Sequence, residues 1–327
     1  MPQNVYVTRP IFDEAIDVLK KEARVSFNSE ERVLSRAELV DRLRDVSGVV
    51  ALTTDTIDRE IMESLPKLRV IANVGVGYNN LDVSAATSLG ILLTNTPGVL
   101  TETTADFAWA LLLSAARRTA EADAFTRAGK FKLLGVQEYL GHEVSGKTLG
   151  IVGLGRIGQA VARRAAGFNM KVVYCNSQPG DPNETHDNAM ELSFESVLRT
   201  SDFISLHVPL NAQTTHLLND RAFALMKRNA IVINTARGPV IDEKALVRAL
   251  TNGSIAGAGL DVYEREPDIE PELLTLRNVV LAPHIGSATR ETRLLMCMTA
   301  ADNLIAALKG VRPPNLVNAE AWESRRS

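Results

Sequence analysis

The chain has 327 residues, of which 45% are hydrophobic and 23% charged, and its formal net charge is −3. This length suits two domains of ordinary size, each with its own core, and the composition is that of a soluble globular protein. A near-neutral charge without a basic block argues against binding of nucleic acid or of an anionic membrane surface. No apolar run approaches the ~20 residues that span a bilayer.

The beginning of the chain and its cysteines predict a cytoplasmic protein. The first seven residues lack the charged and apolar regions of a signal peptide. Only Cys175 and Cys297 are present, which is too few for a disulfide framework and fits a reducing compartment. The five histidines and two cysteines show no metal-ligand spacing, so the sequence predicts no metal site.

The first hundred residues alternate short apolar runs with amphipathic stretches. The apolar runs predict strands at residues 4–8, 24–27, 48–52, 69–73 and 91–93. The amphipathic stretches predict helices near residues 12–21, 36–44, 59–64 and 83–88. Strands that alternate with helices form a parallel sheet covered on both faces.

Two segments in this part have more than one interpretation. Gly75 and Gly77 follow a strand, and their backbone N–H groups could hold a small carboxylate, although an ordinary turn explains them as well. Thr101 is predicted to cap a helix over residues 102–118 that is apolar nearly all round. Such a helix must be buried, either in a core or against a second subunit.

A glycine motif begins at the end of the predicted strand 148–152. Gly153 permits a tight turn, Gly155 lets a pyrophosphate approach the backbone, and Gly158 lets the following helix pack closely on the strand. The glycine spacing alone is explained as well by an ordinary glycine-rich turn. Here a helical stretch and a second strand at 171–174 follow in order, and this context predicts a dinucleotide site at a helix N-terminus.

Further strands are predicted at residues 203–206, 231–234, 256–260 and 279–282, with helices between them that include 220–226 and 242–252. The pattern predicts an α/β protein with two doubly wound parallel sheets, a Rossmann nucleotide-binding domain inserted in a flavodoxin-like substrate domain. Residues 1–99 form the first part of the substrate domain and residues 100–287 the nucleotide domain. A last helix at 290–309, within residues 288–327, returns to the substrate domain.

Three ionisable side chains, Arg237, Asp261 and His284, follow predicted strand ends, where this fold binds its ligands. Arg237 can clamp a carboxylate with its planar guanidinium, and His284 is of the residue type that transfers protons near neutral pH. Glu266 can orient His284 and favour its protonated form. Each residue alone has a simpler structural explanation, but together they match reduction of a 2-oxo acid by a nicotinamide cofactor.

Several motifs then give the chain a resemblance that covers nearly its full length. They lie at residues 74–78, 153–158, 207–210, 234–238, 259–263, 266–267 and 283–287. In these motifs the chain resembles the D-isomer-specific 2-hydroxyacid dehydrogenases. The segments 100–106 and 286–293 are most similar to those of glyoxylate/hydroxypyruvate reductases and 2-ketogluconate reductases.

This resemblance implies roles for individual residues. It implies that Arg237, Glu266 and His284 are the catalytic set, and that Ser287 and the backbone of Val76 and Gly77 contact the substrate. It also implies a homodimer joined through the nucleotide domain, which favours the second explanation of the 102–118 helix. The cofactor would be lined, besides the three glycines, by Thr104, Arg156, Ile157, Pro209, Thr235 and Asp261.

Two departures from the family pattern bear on specificity. NAD-preferring sites place Asp or Glu at the end of the second strand of the nucleotide domain, whereas this chain has Asn176 followed by Ser177. NADP(H) is therefore predicted to be preferred, with NAD(H) possible. Glyoxylate reductases commonly carry Trp in the segment that here reads Gly129 to Gly135 without any, which leaves the substrate open.

Three functions therefore remain as candidates. The first is NAD(P)H-dependent reduction of glyoxylate or hydroxypyruvate to the D-2-hydroxy acid. The second is reduction of a sugar acid such as 2-ketogluconate, which needs the same catalytic residues. The third, from another class, is a nucleotide-sensing corepressor-like binding protein, against which the short length and the lack of extra interaction segments argue.

Overall fold

The computed structural model describes residues 3–133, 135–176 and 189–326, so Ser177 lies outside the described residues. The strands, in chain order, are β1 (Gln3–Val7), β2 (Ala23–Phe27), β3 (Gly48–Leu52), β4 (Val70–Val74), β5 (Leu92–Thr94), β6 (Thr148–Val152), β7 (Lys171–Cys175), β8 (Ala189–Glu191), β9 (Phe203–Leu206), β10 (Ile231–Asn234), β11 (Gly257–Leu260) and β12 (Val279–Leu281).

The α-helices are α1 (Asp13–Glu22), α2 (Arg36–Leu43), α3 (Arg59–Glu63), α4 (Val83–Ser88), α5 (Thr101–Arg117), α6 (Thr119–Arg127), α7 (Arg156–Ala165), α8 (Phe194–Thr200), α9 (Asp220–Leu225), α10 (Glu243–Thr251) and α11 (Arg290–Leu308). Short 3₁₀ turns occur at Ala166–Phe168, Gly238–Val240, Pro271–Thr275 and Ala319–Trp322. Within the described ranges, no helix is both long enough and apolar enough to cross a bilayer.

The chain divides into two compact units. The first consists of Met1–Leu100 together with Ala288–Ser327, and the second of Thr101–Ser287. The first unit is therefore built from two separate parts of the chain, whereas the second is continuous.

The first unit contains a parallel sheet in the order β2-β1-β3-β4-β5. Helices α2, α3 and α4 cover one face, where Leu43, Met62 and Ala85 are fully buried. Helices α1 and α11 cover the other face, where Leu19 and Leu304 are buried. Because neighbouring side chains of a strand point to opposite faces, both faces of these short apolar strands contribute to a core.

The second unit contains a parallel sheet in the order β12-β11-β10-β9-β6-β7-β8. Helices α8, α9 and α10 pack on one face and α5 and α7 on the other. In strand β10, Val232 joins the first core, and Ile231 and Ile233 join the second. The strand order reverses between β6 and β9, and in doubly wound sheets ligands bind at that point. The predicted fold class, an α/β protein with two parallel sheets, is confirmed.

Helix α5 begins one residue earlier than predicted, and part of its apolar surface is buried in its own unit. It begins at Thr101 itself, so that Thr101 is a helical residue and not the cap. Trp109 and Leu112 are buried in the core on the α7 side of the sheet, while Phe107 and Leu113 are only partly buried. One face of α5 is therefore core within its own unit.

Candidate active site

The glycine motif forms a tight loop between β6 and α7. Gly153 has a φ of 96°, which favours glycine, and a Cβ there would lie 2.9 Å from the backbone of His207. At Gly158 a Cβ would lie 2.3 Å from the carbonyl oxygen of Gly153, so a side chain would push α7 away from the strand. At Gly155, by contrast, a Cβ would meet nothing within 4 Å. The loop thus leaves open space at its middle glycine.

Three observations fit a dinucleotide at this loop. Gly155 is the N-cap of α7 and offers no side chain, so the helix N–H groups remain available to a phosphate. Arg156, the first residue of α7, is exposed, and Ile157 is partly buried beside it. At the end of β10, the buried hydroxyl of Thr235 has no hydrogen-bond partner in the described part of the chain, as expected of a group that awaits a ligand.

Asn176, the residue that follows β7, is bound to the glycine loop. Its Oδ1 accepts the N–H of Leu154 at 2.7 Å. Because Leu154 can only donate here, this bond fixes the orientation of the side-chain amide. The NH₂ group of Asn176 is therefore the part that can meet a ligand, and it can only donate.

Arg237 is presented by a turn that depends on its neighbours. Asn234 at the end of β10 is buried, accepts the N–H of Ala236 at 3.0 Å and donates to the carbonyl oxygen of Arg237 at 2.9 Å. At Gly238 a Cβ would lie 1.8 Å from the carbonyl of Tyr263. The glycine thus allows the backbone after β10 to touch the backbone after β11.

The segment after β11 carries Glu266, which is bonded to His284. Glu266 Oε2 lies 2.8 Å from Nδ1 of His284, and its Oε1 accepts the N–H of Tyr263 at 3.0 Å. Burial raises the pKa of Glu266, whereas the hydrogen bond and the charge of His284 lower it. The lowering outweighs the effect of burial, so the pKa of Glu266 lies below its usual value. Since Nδ1 is engaged, Nε2 is the nitrogen of His284 that remains for a substrate.

Arg237 and Glu266 also interact through their charges. Burial lowers the pKa of the Arg237 guanidinium, whereas the negative charge of Glu266 raises it. Arginine remains protonated under such shifts. The three side chains predicted as the catalytic set, Arg237, Glu266 and His284, therefore lie in the same unit, where Glu266 interacts with both of the others.

Asp261 fixes the segment that carries His284. Its Oδ1 and Oδ2 accept the N–H groups of Ile285 and Gly286, each at 2.7 Å, and its own carbonyl accepts the N–H of His284 at 2.9 Å. The backbone of His284 has a φ of 55°, in the left-handed region that histidine adopts more readily than most residues. Burial raises the pKa of Asp261, while these N–H donors and His284 oppose that effect.

The remaining predicted residues lie in two places. Thr104 is buried on α5 beside Gly286, Pro209 is exposed after β9, and Ser287 is the last residue of the second unit. Val76 and Gly77 belong to the first unit, in the loop after β4. Their N–H groups donate to no acceptor within the described ranges.

Two features of this region do not follow from the sequence. Asp261 stands after a predicted strand, but its bonds to the backbone N–H groups of Ile285 and Gly286 have no sequence signal. His207, at the end of β9, is hydrogen-bonded through Nε2 to the hydroxyl of Ser205 at 2.8 Å, and burial lowers its pKa to about 4. His207 stands directly after a predicted strand, which is the signal that could have singled it out.

Similar proteins are known over the full length of the chain. It is 49% identical over 328 residues to a glyoxylate reductase from Thermococcus litoralis, with 99% of each chain covered. A solved glyoxylate reductase from Paecilomyes thermophila is 36% identical, with a TM-score of 0.88 over 97% of this chain and 98% of that one. The NADPH-dependent glyoxylate/hydroxypyruvate reductase from Sinorhizobium meliloti, solved with NADP and malonate, is 33% identical, with a TM-score of 0.83 and 98% of each chain covered.

The family model that matches describes the NAD binding domain of the D-isomer specific 2-hydroxyacid dehydrogenases, and it spans residues 109–286. This range includes the glycine loop and the residues Arg237, Glu266 and His284. The model covers more than half of the chain, and the relatives above match both units. The chain belongs to the D-isomer specific 2-hydroxyacid dehydrogenase family.

Proposed function

We propose that this protein is an NAD(P)H-dependent reductase that converts glyoxylate, and the related hydroxypyruvate, to the 2-hydroxy acid. The observation that carries the proposal is the bond between His284 Nδ1 and Glu266 Oε2 next to the charge of Arg237. The names of the full-length relatives agree with it, because glyoxylate reductases reach 49% identity over 99% of the chain.

Each catalytic side chain has one task in this proposal. Arg237 binds the substrate carboxylate with its guanidinium. His284 donates the proton on Nε2 to the carbonyl oxygen of the substrate, while its Nδ1–H remains hydrogen-bonded to Glu266. Glu266 holds the imidazole in place and stabilises its positive charge. The bound nicotinamide cofactor supplies the hydride that completes the alcohol.

A panel of 2-oxo acids tests the substrate, and a variant tests the chemistry. We expect glyoxylate and hydroxypyruvate to give higher kcat/KM values than 2-ketogluconate with the same cofactor. His284→Ala should lower kcat by about 10²–10⁴-fold with little change in the Kd of NADPH. Unchanged turnover in this variant would rule out His284 as the proton donor. A wild-type protein that binds NADPH but reduces none of the acids would favour the nucleotide-sensing alternative.

NADPH is the proposed cofactor, and Asn176 supports this preference. Its carbonyl oxygen is engaged by Leu154 N–H, so only a donor NH₂ remains for the ribose. A 2′-phosphate offers only acceptors, whereas the 2′-hydroxyl of NADH is best bound by a carboxylate. The relative from Sinorhizobium meliloti was solved with NADP, which agrees with this proposal.

The variant Asn176→Asp tests the cofactor proposal. Its first oxygen can still accept Leu154 N–H, so the loop should survive. Its second oxygen brings a negative charge that repels the 2′-phosphate and accepts the 2′-hydroxyl. We expect kcat/KM for NADPH to fall by roughly 10-fold or more and that for NADH to rise, since two like charges about 4 Å apart repel by about 1 kcal/mol or more. A wild-type protein that strongly prefers NADH would overturn the proposal.

We also propose that two copies pair through the second unit. Helix α6 has no buried residue, and the segment after it exposes large apolar side chains, among them Leu133 at 79% and Val136 at 93%. Clusters of this kind mark surfaces that another protein covers. A second copy is the partner that the family resemblance implies. Sedimentation should show a dimer that Leu133→Lys weakens, and a wild-type monomer would contradict the proposal.

Roles for the units and a location complete the proposal. The second unit binds the cofactor, and the loop after β4 in the first unit binds the substrate carboxylate. The two cysteines, Cys175 and Cys297, are both free and buried, which suits a cytoplasmic enzyme.

A further inference from the structure

The loop after β4 has an unusual hydrogen-bond pattern on its carbonyl side. The carbonyl oxygen of Gly75 accepts the N–H of Thr96 at 3.0 Å. The carbonyl oxygen of Val76 accepts the side-chain NH₂ of Asn95 at 2.8 Å. Two consecutive carbonyls of the loop therefore face the same neighbouring segment, residues 95–96. In an extended strand they would face opposite sides.

The direction of these carbonyls determines the direction of two N–H groups. In a trans peptide the C=O and N–H of the same unit point in opposite directions. The carbonyl of Gly75 shares a peptide with Val76 N–H, and the carbonyl of Val76 shares one with Gly77 N–H. Both N–H groups are thus turned away from residues 95–96, to one side of the loop. Adjacent N–H groups arranged in this way form an anion-binding concavity.

The segment that holds the loop is itself held from α11. Asn303, a fully buried residue of α11, donates to the carbonyl oxygen of Asn95 at 3.1 Å. Asn95 N–H in turn donates to the carbonyl of Asn315 at 3.3 Å. The other end of the loop is bound as well, because buried Asn73 donates to the carbonyl of Gly77 at 2.9 Å. Asn95 is the side chain in this chain of contacts that acts directly on the Val76–Gly77 peptide.

We infer that Asn95 is a positioning residue for the substrate carboxylate. It does not touch the substrate, but holds the Val76–Gly77 peptide so that the N–H of Gly77 points at a carboxylate. This inference rests on the proposed function, since it names the residue that prepares the carboxylate site of the same reaction. Asn95 lies after β5, outside every motif that carries the catalytic side chains.

The test compares Asn95→Ala with the wild-type protein by steady-state kinetics. The variant loses the donor to Val76 but keeps both backbone contacts of residue 95. We expect the KM for glyoxylate to rise roughly 10-fold, since the Gly77 N–H is no longer held towards the carboxylate and its hydrogen bond weakens, with kcat changed by less than about twofold. Asn95→Asp should raise KM further, because it places an acceptor and a negative charge against a carbonyl oxygen. The Kd of NADPH should stay the same in both variants.

Asn318→Ala provides the matched control. Asn318 is as buried as Asn303 and bonds to both Ile91 and Leu93 of the same chain segment, but it does not contact residues 75–77. This variant should lose more stability than Asn95→Ala and keep the wild-type KM. If it does not fold, Asn28→Ala serves instead, because the side chain of Asn28 bonds to the backbone of residues 30 and 32 after β2, away from residues 75–77. An equal rise in KM in the control would overturn the inference.

A binding measurement separates this inference from the proposed activity. Oxalate is a carboxylate that cannot be reduced, so calorimetry with oxalate and NADPH reports the carboxylate site without turnover. We expect the oxalate Kd to rise in Asn95→Ala by the same factor as KM. If the wild-type protein reduces no 2-oxo acid, the proposed function is wrong. The comparison of oxalate Kd values still tests whether Asn95 prepares the carboxylate site. Equal oxalate affinity in variant and wild type, or no oxalate binding by the wild type, overturns the role of Asn95.

Discussion

A Cβ atom on Gly238 would lie 1.8 Å from the carbonyl of Tyr263, so the two backbones touch where Arg237 and Glu266 are presented. This contact predicts that Gly238→Ala destabilises the second unit by about 1–3 kcal/mol, as overpacking does. It should also lower kcat/KM by more than the loss of stability explains, because the segments of Arg237 and Glu266 must separate. Thermal unfolding and kinetics measure both effects. Gly167→Ala is the control, because a Cβ there would meet nothing within 4 Å.

The bond between Glu266 and His284 predicts a change in pH dependence. The pKa of Glu266 is lowered, so its carboxylate is ionised throughout the neutral range and favours a protonated imidazole. In Glu266→Gln this negative charge is absent. The alkaline limb of the pH–rate profile for reduction should therefore move to lower pH, and the maximal rate should fall. A profile that keeps its position while the rate falls would restrict Glu266 to a steric role.

Asp261 is predicted to act on kcat more than on cofactor binding. In Asp261→Asn, an NH₂ group replaces one of the two oxygens that accept the N–H groups of Ile285 and Gly286, so two donors face each other. His284 then loses its fixed position, and kcat should fall by roughly 10–100-fold. The Kd of NADPH, measured by fluorescence titration, should change little. A large rise in that Kd with an intact kcat would instead make Asp261 a cofactor contact.

His207 predicts a loss of stability at acid pH. Burial lowers its pKa from 6.5 to about 4 in the folded protein, whereas the unfolded chain takes up the proton near 6.5. The folded state therefore favours the neutral form of His207. The contribution of this neutral form to the free energy of unfolding is complete above pH 6.5 and is lost as the pH falls towards 4. Between these pH values, the free energy of unfolding of His207→Gln should fall by about 1–3 kcal/mol less than that of the wild-type protein. Urea unfolding at several pH values gives the difference, and parallel curves would contradict it.

The strands of both sheets could be predicted to within about a residue from their apolar runs, since each is short and bounded by polar turns. Helix α6 and strand β8 could not. Helix α6 has no buried residue, so no core-facing stripe of apolar side chains marks it. Strand β8 has three residues, two of them exposed, and is too short for a periodic signal.

The candidate site was predictable where it follows the ends of strands. Arg237 and His284 each stand three residues after a strand of apolar residues, and parallel strands bring such positions to one edge of a sheet. The contacts of Asp261 with Ile285 and of Asn95 with Val76 were not predictable. They join side chains to backbone atoms of other loops, and no sequence period records how two loops lie against each other.

The divided first unit has a consequence for the order in which the protein is made. The second unit, Thr101–Ser287, is continuous and can fold as soon as it has been synthesised. Strands β3, β4 and β5 must wait for α11, which covers them, and Asn95 must wait for Asn303 and Asn315. The nascent chain therefore completes its nucleotide-binding unit first. The loop of Val76 and Gly77, although made early, acquires its final shape only when the last helix arrives.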